Sequence, residues 1–301
     1  MERHFLRAEA AKVGFLLACR RMPMTIPQIT LVALIGLCGG LLGGLLGLGG
    51  SVFIIPALTL ALGTNQHLYQ ASALIVNVFV AMAATARHRG RGTIRADIVP
   101  AMVASSTTAA ILGVLVSNML EPRPLAAVFG LFLCYAAVAE LVSLYRRTTD
   151  GEPPPIGPQR WRLGLAIGFA GGFASGLLGI GGGAVMVPLL RKFAKLPVRQ
   201  AVASSATAMV FACCIGAVSK NLSVSELTDA SGAPLTLAAS LTLAALLSPT
   251  ATLGGHFGAS LVYRLPTRVI RFVLSGLLAF AGVRMLLTGG PHLLDALQRL
   301  M

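Results

Sequence analysis

Charged residues are scarce in this chain: they make up 11% of its 301 residues, whereas hydrophobic residues make up 55%. A soluble domain averages about 25% charged residues, so this chain has too few to cover a surface that faces water. Several apolar runs reach the roughly 20 residues that a helix needs to cross a bilayer. The composition predicts an all-α, polytopic membrane protein that is surrounded by lipid.

Acidic residues are few, and metal-ligand clusters and catalytic motifs are lacking. Ten acids against 24 Lys and Arg give a net charge of +14, but the bases lie in short loops between apolar runs, which is typical of membrane proteins and argues against a nucleic-acid partner. The five cysteines form no C-x-x-C pair and have no histidine cluster nearby. Without a Walker motif or a nucleophile–base pair, we expect no enzyme activity, no cofactor and no metal.

Eight apolar segments form two groups of four around a polar, proline-containing linker. This pattern divides the chain into an N-terminal extension (1–26), a first membrane repeat (27–145), a cytoplasmic linker (146–162), a second membrane repeat (163–290) and a C-terminal tail (291–301). A shift of 132 positions places GLLGLGGS (44–51) on GLLGIGGG (176–183) and Pro56 on Pro188 without a gap. Self-similarity at a fixed period indicates an internal duplication.

Basic and non-basic loops exchange places between the two repeats. The loop RHRGRGTIR (87–95) is strongly basic, whereas its counterpart at 221–234 has two acids and no base. The loop at 63–70 has no Lys or Arg, whereas its counterpart at 191–199 is basic. Under the positive-inside rule, this exchange predicts repeats of opposite orientation.

The charge pattern also predicts how the first segment of each repeat crosses the membrane. If both the linker and the loop at 191–199 are cytoplasmic, the segment at 163–190 leaves and returns on the same side. It would then be a helical hairpin that is broken at its glycines, and the segment at 27–62 would be its counterpart. Single crossings are the alternative.

Each repeat carries a glycine cluster that is too dense for helix packing alone. Glycine costs about 1 kcal/mol relative to alanine inside a helix, so the clusters predict helix ends, with Pro56 and Pro188 bounding the open backbone. Open backbone within a membrane is tolerated only where protein buries it or where it lines a cavity. Free N–H groups in such a turn favour anions. We predict an anion site at Gly47, Gly49, Gly50, Ser51, Gly179, Gly181, Gly182 and Gly183; the alternative is a packed kink without a ligand.

Glycines upstream of these clusters recur every fourth residue, which is typical of close helix packing. Gly36, Gly40 and Gly44 in the first repeat, and Gly168 and Gly172 in the second, follow this spacing. We therefore assign them to contacts between helices and not to the anion site.

Polar side chains within the apolar runs are further candidates. Asn77 is a substrate-binding candidate because a buried amide needs hydrogen-bonding partners, and Ser204 and Ser205 are weaker ones. His88 and Lys220 end equivalent helices and could be the first cationic contacts on each side of a pathway; the alternative is that they snorkel to the interface. Glu140, an acid in an apolar run, is a candidate for proton coupling.

The twice-repeated motif G-x-x-G-x-G-G-(G/S)-x-x-x-x-P resembles the sulfite exporter TauE/SafE family of bacterial membrane proteins. The segments HRG (88–90) and LPTRVIRFVLSGLLAFAGVRML (265–286) strengthen the resemblance, which covers about residues 30–288. It implies a multi-pass transporter of small anions such as sulfite and organosulfonates in the bacterial inner membrane. The sequence departs from strict repetition at one position, where Ser51 corresponds to Gly183.

These observations lead to one hypothesis and two alternatives. The chain is interpreted as a secondary transporter of a small, sulfur-containing anion that works by alternating access. The alternatives are an anion channel and a membrane assembly or sensory subunit that transports nothing. The substrate, the direction, the coupling ion and a homo-oligomeric state all stay open at this point.

Overall fold

The structure, a computed structural model, describes residues 25–46, 49–145, 158–229, 232–261, 272, 275–276, 278–287 and 290. The chain is helical almost throughout this part, as the composition predicts. Its helices are α1 (Ile26–Leu46), α2 (Ser51–Leu62), α3 (Gln66–Arg89), α4 (Val99–Met119), α5 (Pro122–Tyr145), α6 (Pro158–Leu178), α7 (Gly183–Lys192), α8 (Val198–Ser223), α9 (Leu237–Leu261) and α10 (Leu278–Leu287).

Seven helices in the described part are long and apolar enough to cross a membrane: α1, α3, α4, α5, α6, α8 and α9. The helices α2 and α7 have 12 and 10 residues. At 1.5 Å per residue they span roughly 15–18 Å, about half of the hydrocarbon core. The prediction of an all-α, multi-pass membrane protein is therefore confirmed.

The helix bounds of the two halves coincide under the shift of 132 positions. The matched bounds are Ile26 and Pro158, Leu46 and Leu178, Ser51 and Gly183, and Gln66 and Val198. α6 begins inside the predicted linker at 146–162, and α3 begins inside the predicted loop at 63–70. Residues 1–24 of the predicted extension (1–26), residues 146–157 of the predicted linker and the whole predicted tail (291–301) lie outside the described residues.

Each short helix folds back on the helix before it. A β-carbon on Gly39 would lie 2.9 Å from Ile54 Cδ1, and one on Gly43 would lie 2.5 Å from the backbone nitrogen of Gly50. In the second half, a β-carbon on Gly171 would lie 2.6 Å from Met186 Cε. Both segments are therefore helical hairpins, and not single crossings.

The prolines do not bound the breaks, contrary to the prediction. Pro56 and Pro188 lie inside α2 and α7, and the helices begin five residues before them, at Ser51 and Gly183. Each proline is the sixth residue of its helix, so its missing N–H removes one hydrogen bond to the residue four positions earlier, yet the helix continues past it. The glycines alone produce the breaks, and the open backbone is shorter than predicted.

The first helix of each repeat packs on a helix of the other repeat. α1 lies along α9, with Gly36 near Leu247 and Gly44 near Gly255. α6 lies along α4, with Gly168 near Met102. Because a β-carbon at these glycines would meet the backbone of the neighbouring helix, they are packing glycines, as their spacing predicts. The two repeats are therefore interleaved.

The equivalent helices α3 and α8 run antiparallel through the middle of the structure. Lys220, near the end of α8, contacts His67 at the start of α3, and Asn221 donates to the backbone oxygen of Ala71 at 3.3 Å. Further along, Gly216 lies against Leu74. Antiparallel packing of equivalent helices is the arrangement expected of repeats with opposite orientation.

Candidate functional site

The two glycine breaks meet at the centre of the interleaved repeats. A β-carbon on Gly49 would lie 2.6 Å from the backbone oxygen of Ile180. The φ angles of Gly49, Gly179, Gly181 and Gly182 are +84°, +74°, +78° and +81°, in a region that L side chains rarely adopt. The breaks are thus open, buried backbone in direct contact with each other.

Asn77 of α3 holds the two breaks together through its side-chain amide. Its Oδ1 accepts from the backbone N–H of Ser51 at 3.3 Å, and its Nδ2 donates to Ser51 Oγ at 2.7 Å. The same Nδ2 donates to the backbone oxygen of Gly179 at 3.3 Å. The side chain is fully buried. One amide therefore bridges the first break to the second.

Met209 of α8 also lies at this junction, and the sequence interpretation missed it. Its sulfur would be 3.4 Å from a β-carbon on Gly49 and 2.8 Å from one on Gly181. The signal that could have found it is the repeat itself, since a shift of 132 positions carries Asn77 to Met209. An apolar side chain in a membrane helix gives no other sign of its location.

The short helices α2 and α7 both begin at the breaks. The first turn of each helix has N–H groups without a helical acceptor, and each N-terminus carries a partial positive charge. Ser51 is the first residue of α2 and Gly183 the first of α7, and both are buried. Two positive helix ends therefore face the region in which Gly49 and Ile180 meet, an environment that favours an anion.

The other predicted glycine and serine candidates differ in position. Gly50 caps α2 with an ordinary helical φ of −65°, and it packs on Gly39. Ser205 is buried and donates to the backbone oxygen of Val202 in its own helix. Ser204 accepts from the backbone N–H of Arg95 at 3.2 Å, in the loop between α3 and α4. Gly47 lies outside the described residues.

His88 and Lys220 are both fully buried, so neither snorkels to the interface. The Lys220 ammonium donates to Asn118 Oδ1 at 2.7 Å and to Ser117 Oγ at 2.9 Å, and it lies 3.0 Å from His67 Nδ1. The sequence interpretation missed these three partners. The polar run NQH at 65–67, directly before an apolar helix, was the available signal for His67.

A carboxylate with two arginines joins the loop before α4 to the start of α6. Asp97 accepts two hydrogen bonds from Arg95, at 3.0 Å each, and a further one from Arg160. The hydrogen bonds from Arg95 and Arg160 lower the pKa of Asp97 from 3.8 to about 2. In the described part of the chain, no group of three His, Cys, Asp or Glu residues could hold a metal ion.

The fold defines the class of the protein, which is a multi-pass helical membrane protein with two glycine-broken hairpins that meet at its centre. The sequence profile of the sulfite exporter TauE/SafE family matches residues 32–285. The chain belongs to this family, and its relatives carry the names of membrane transporters. No solved structure matches the chain significantly.

Three curated relatives illustrate the similarity. The "probable membrane transporter protein MamO" of Magnetospirillum gryphiswaldense is 25% identical over 88% of this chain, but the chain spans only 46% of MamO. The "probable membrane transporter protein YunE" of Bacillus subtilis is 26% identical over 87% of this chain and 98% of its own length. A "probable membrane transporter protein" of Xylella fastidiosa is 32% identical over 62% of this chain and 71% of its own length.

Proposed function

We propose that this protein is a secondary transporter that moves a small, sulfur-containing anion across the bacterial inner membrane by alternating access. The observation that carries the proposal is the bridge that Asn77 makes between Ser51 and Gly179, at the point where the two broken hairpins meet. No catalytic step is part of the proposal.

The groups at this junction suit an anion with several oxygen acceptors, such as a sulfite or a sulfonate. Asn77 Nδ2, Ser51 Oγ and the N–H groups at the starts of α2 and α7 are all donors. Neutral donors bind an anion without the cost of burying an unpaired cation. Gly49 and Gly181 have no β-carbon, so a ligand could approach their backbone closely once the groups now packed on it move away.

The first break packs directly on Ile180, which supports a closed junction in this conformation. An anion can enter only if the hairpins separate and Asn77 gives up at least one of its hydrogen bonds. Two hairpins that are each packed on the opposite repeat suit a rocking of one unit against the other. The direct contact between Gly49 and Ile180 supports a carrier over an open channel.

Binding and transport are tested separately. Purified protein is screened by thermal shift against sulfite, sulfate, thiosulfate, taurine and sulfoacetate, and the anions that stabilise it are then tested in liposomes. Labelled anion is offered outside vesicles that are preloaded with the same unlabelled anion. Saturable uptake that increases with the preload supports a carrier.

The other outcomes identify the alternatives. A flux that does not saturate with anion concentration and does not depend on the preloaded anion would indicate a channel. An absence of stabilisation and of flux for all five anions would overturn the proposed substrate class and favour a non-transporting subunit. Asn77→Leu is the matched variant, because it keeps the side-chain volume and removes the amide.

A further inference from the structure

Lys220 is a buried cation whose hydrogen-bonding partners are all neutral. Its three N–H donors point to Asn118, Ser117 and His67, the first two on α4 and the third on α3. Such a cage satisfies the ammonium completely but does not neutralise its charge. His67 in turn uses Nε2 to contact the backbone oxygen of Leu120 at 3.0 Å. Because Leu120 O can only accept, Nε2 carries the proton and Nδ1 accepts from Lys220.

No carboxylate balances this charge within the described residues. The side chains that contact Lys220 come from α3 and α4, and the 3₁₀ turn Val224–Glu226 follows α8. On these elements the other titratable groups nearby are Tyr69, which donates to the backbone oxygen of Gly63, and the exposed Glu226. Glu121, directly after α4, is exposed as well.

A chain of hydrogen bonds connects Lys220 to the second glycine break. Ser117 Oγ accepts from Lys220 and donates to Gln70 Oε1 at 2.9 Å. Gln70 Nε2 donates to the backbone oxygen of Leu177, in the last turn of α6, at 3.2 Å. The Gln70 side chain also lies directly against Gly179. Movement of the second break therefore displaces Gln70 and, through Ser117, the environment of the ammonium.

We propose that Lys220 and His67 form a proton-binding site, linked through Ser117 and Gln70 to the second glycine break, so that a proton accompanies the anion. The inference rests on the anion transport proposed above. An anion at the junction favours the protonated state of a nearby site, and by linkage the protonated site favours the anion. The membrane-embedded base is a recurrent element of proton-coupled carriers.

The geometry provides a route for the proton. Lys220 Nζ transfers a proton to His67 Nδ1, which leaves a neutral amine and a doubly protonated imidazole. The imidazole then breaks its Nε2–H hydrogen bond to the Leu120 oxygen, because a deprotonated Nε2 cannot face that acceptor, and releases the proton to water beside Leu120, which is partly exposed directly after α4. His67 is left with its proton on Nδ1, from which it donates to the amine. Binding of a proton from water reverses these steps.

Lysine NMR of the full-length protein tests the site directly, because the chain has only four lysines: Lys12, Lys192, Lys195 and Lys220. The protein is prepared with isotope-labelled lysine, and its side-chain resonances are followed across the pH range in which it stays folded. Lys192→Arg and Lys195→Arg assign their own signals without any change to the buried cluster. We expect the Lys220 signal to change between its ammonium and amine positions within this range.

The anion arm of the experiment uses thiosulfate, which does not itself titrate near neutral pH. Adding it should shift Lys220 towards the ammonium form, and Gln70→Met should abolish this shift while Lys220 still exchanges its proton. Gln66→Met is the matched control, since Gln66 is equally buried one turn earlier on α3, outside the chain of hydrogen bonds.

Each result bears on one claim. A Lys220 signal that stays in the ammonium form at every pH overturns the proton site, whether or not any anion is transported. A Lys220 that titrates but ignores thiosulfate, in a protein that shows thiosulfate counterflow, overturns the link to the break. Absence of thiosulfate counterflow counts against the proposed function with this anion, and the titration without anion still decides the proton site.

Discussion

Asn77 and Met209 occupy equivalent positions in the two repeats, and their side chains flank the same glycine. A β-carbon on Gly181 would lie 3.0 Å from Asn77 Nδ2 and 2.8 Å from Met209 Sδ. One repeat therefore supplies an amide to the central junction, and the other supplies a thioether. The helix bounds match there, but the equivalent glycines Gly50 and Gly182 differ in φ (−65° and +81°), and the polar side-chain contacts come from the first repeat.

This asymmetry predicts different effects at the two positions. Asn77→Leu should abolish the thermal shift that the anion produces, because both breaks lose their amide partner. Met209→Leu conserves volume and should cost below about 1.5 kcal/mol of stability with anion binding retained. Thermal shift with and without the anion measures both. Normal anion binding by Asn77→Leu would show that the amide only holds the closed state together.

The glycines of the breaks and those of the helix contacts should respond differently to alanine. Gly181→Ala forces a side chain into a left-handed conformation, at a cost of about 1–2 kcal/mol, and should impair anion binding while the protein remains folded. Gly168→Ala should lower the melting temperature and change binding little, because its β-carbon would meet the backbone of α4.

The comparison of the two glycine variants decides the point. Ligand-induced thermal shift and the melting temperature in detergent are recorded for both. If Gly181→Ala melts early yet binds the anion normally, the second break is a packed kink and the proposed site is wrong.

The orientation of the loops is tested by labelling. In a background without the five native cysteines, Thr149→Cys and Lys195→Cys should both react from the cytoplasm, and Asp229→Cys from the other side. The reason is that the second hairpin returns to the side from which it starts. Thr149 lies outside the described residues, so the labelling also locates the linker. Reaction of positions 149 and 195 from opposite sides would contradict the hairpin topology.

The Asp97 cluster predicts a dependence of stability on pH. The pKa of Asp97 falls from 3.8 in the free side chain to about 2 in the fold. Ionised Asp97 therefore stabilises the protein at every pH above 3.8, and this contribution is lost as the pH falls through about 2. Asp97→Asn should cost about 1 kcal/mol near neutral pH. Its melting temperature should approach that of the unchanged protein as the pH is lowered from about 5 towards 2. A constant difference would rule out the carboxylate charge as the cause.

Much of the fold could be predicted from patterns that extend over many residues. The apolar runs and the shift of 132 positions predict the helices, their duplication and both breaks, because lipid leaves the backbone few other choices. The boundaries at Gln66 and Pro158 were not predictable in this way. Both regions are polar in sequence, and α3 remains helical at Gln66 because neighbouring helices bury its first turns.

The candidate site was predicted less completely. Glycine density identifies the breaks, and Asn77 is conspicuous in an apolar run. The partners of Lys220 lie on α3 and α4, more than a hundred positions away along the chain, so no local pattern associates them. Proline near a break was misleading, because each helix continues through its proline with the loss of one backbone hydrogen bond.

The interleaved packing also bears on how the protein is made. During synthesis the first hairpin emerges before α9, the helix against which Gly36 and Gly44 pack. Until α9 has been inserted, that glycine stripe has no native partner and must be covered by lipid or by the insertion machinery. The amino-terminal half on its own would expose the same stripe permanently. Co-expression of the two halves as separate chains should therefore rescue both from degradation, whereas either half alone should be removed by quality-control proteases.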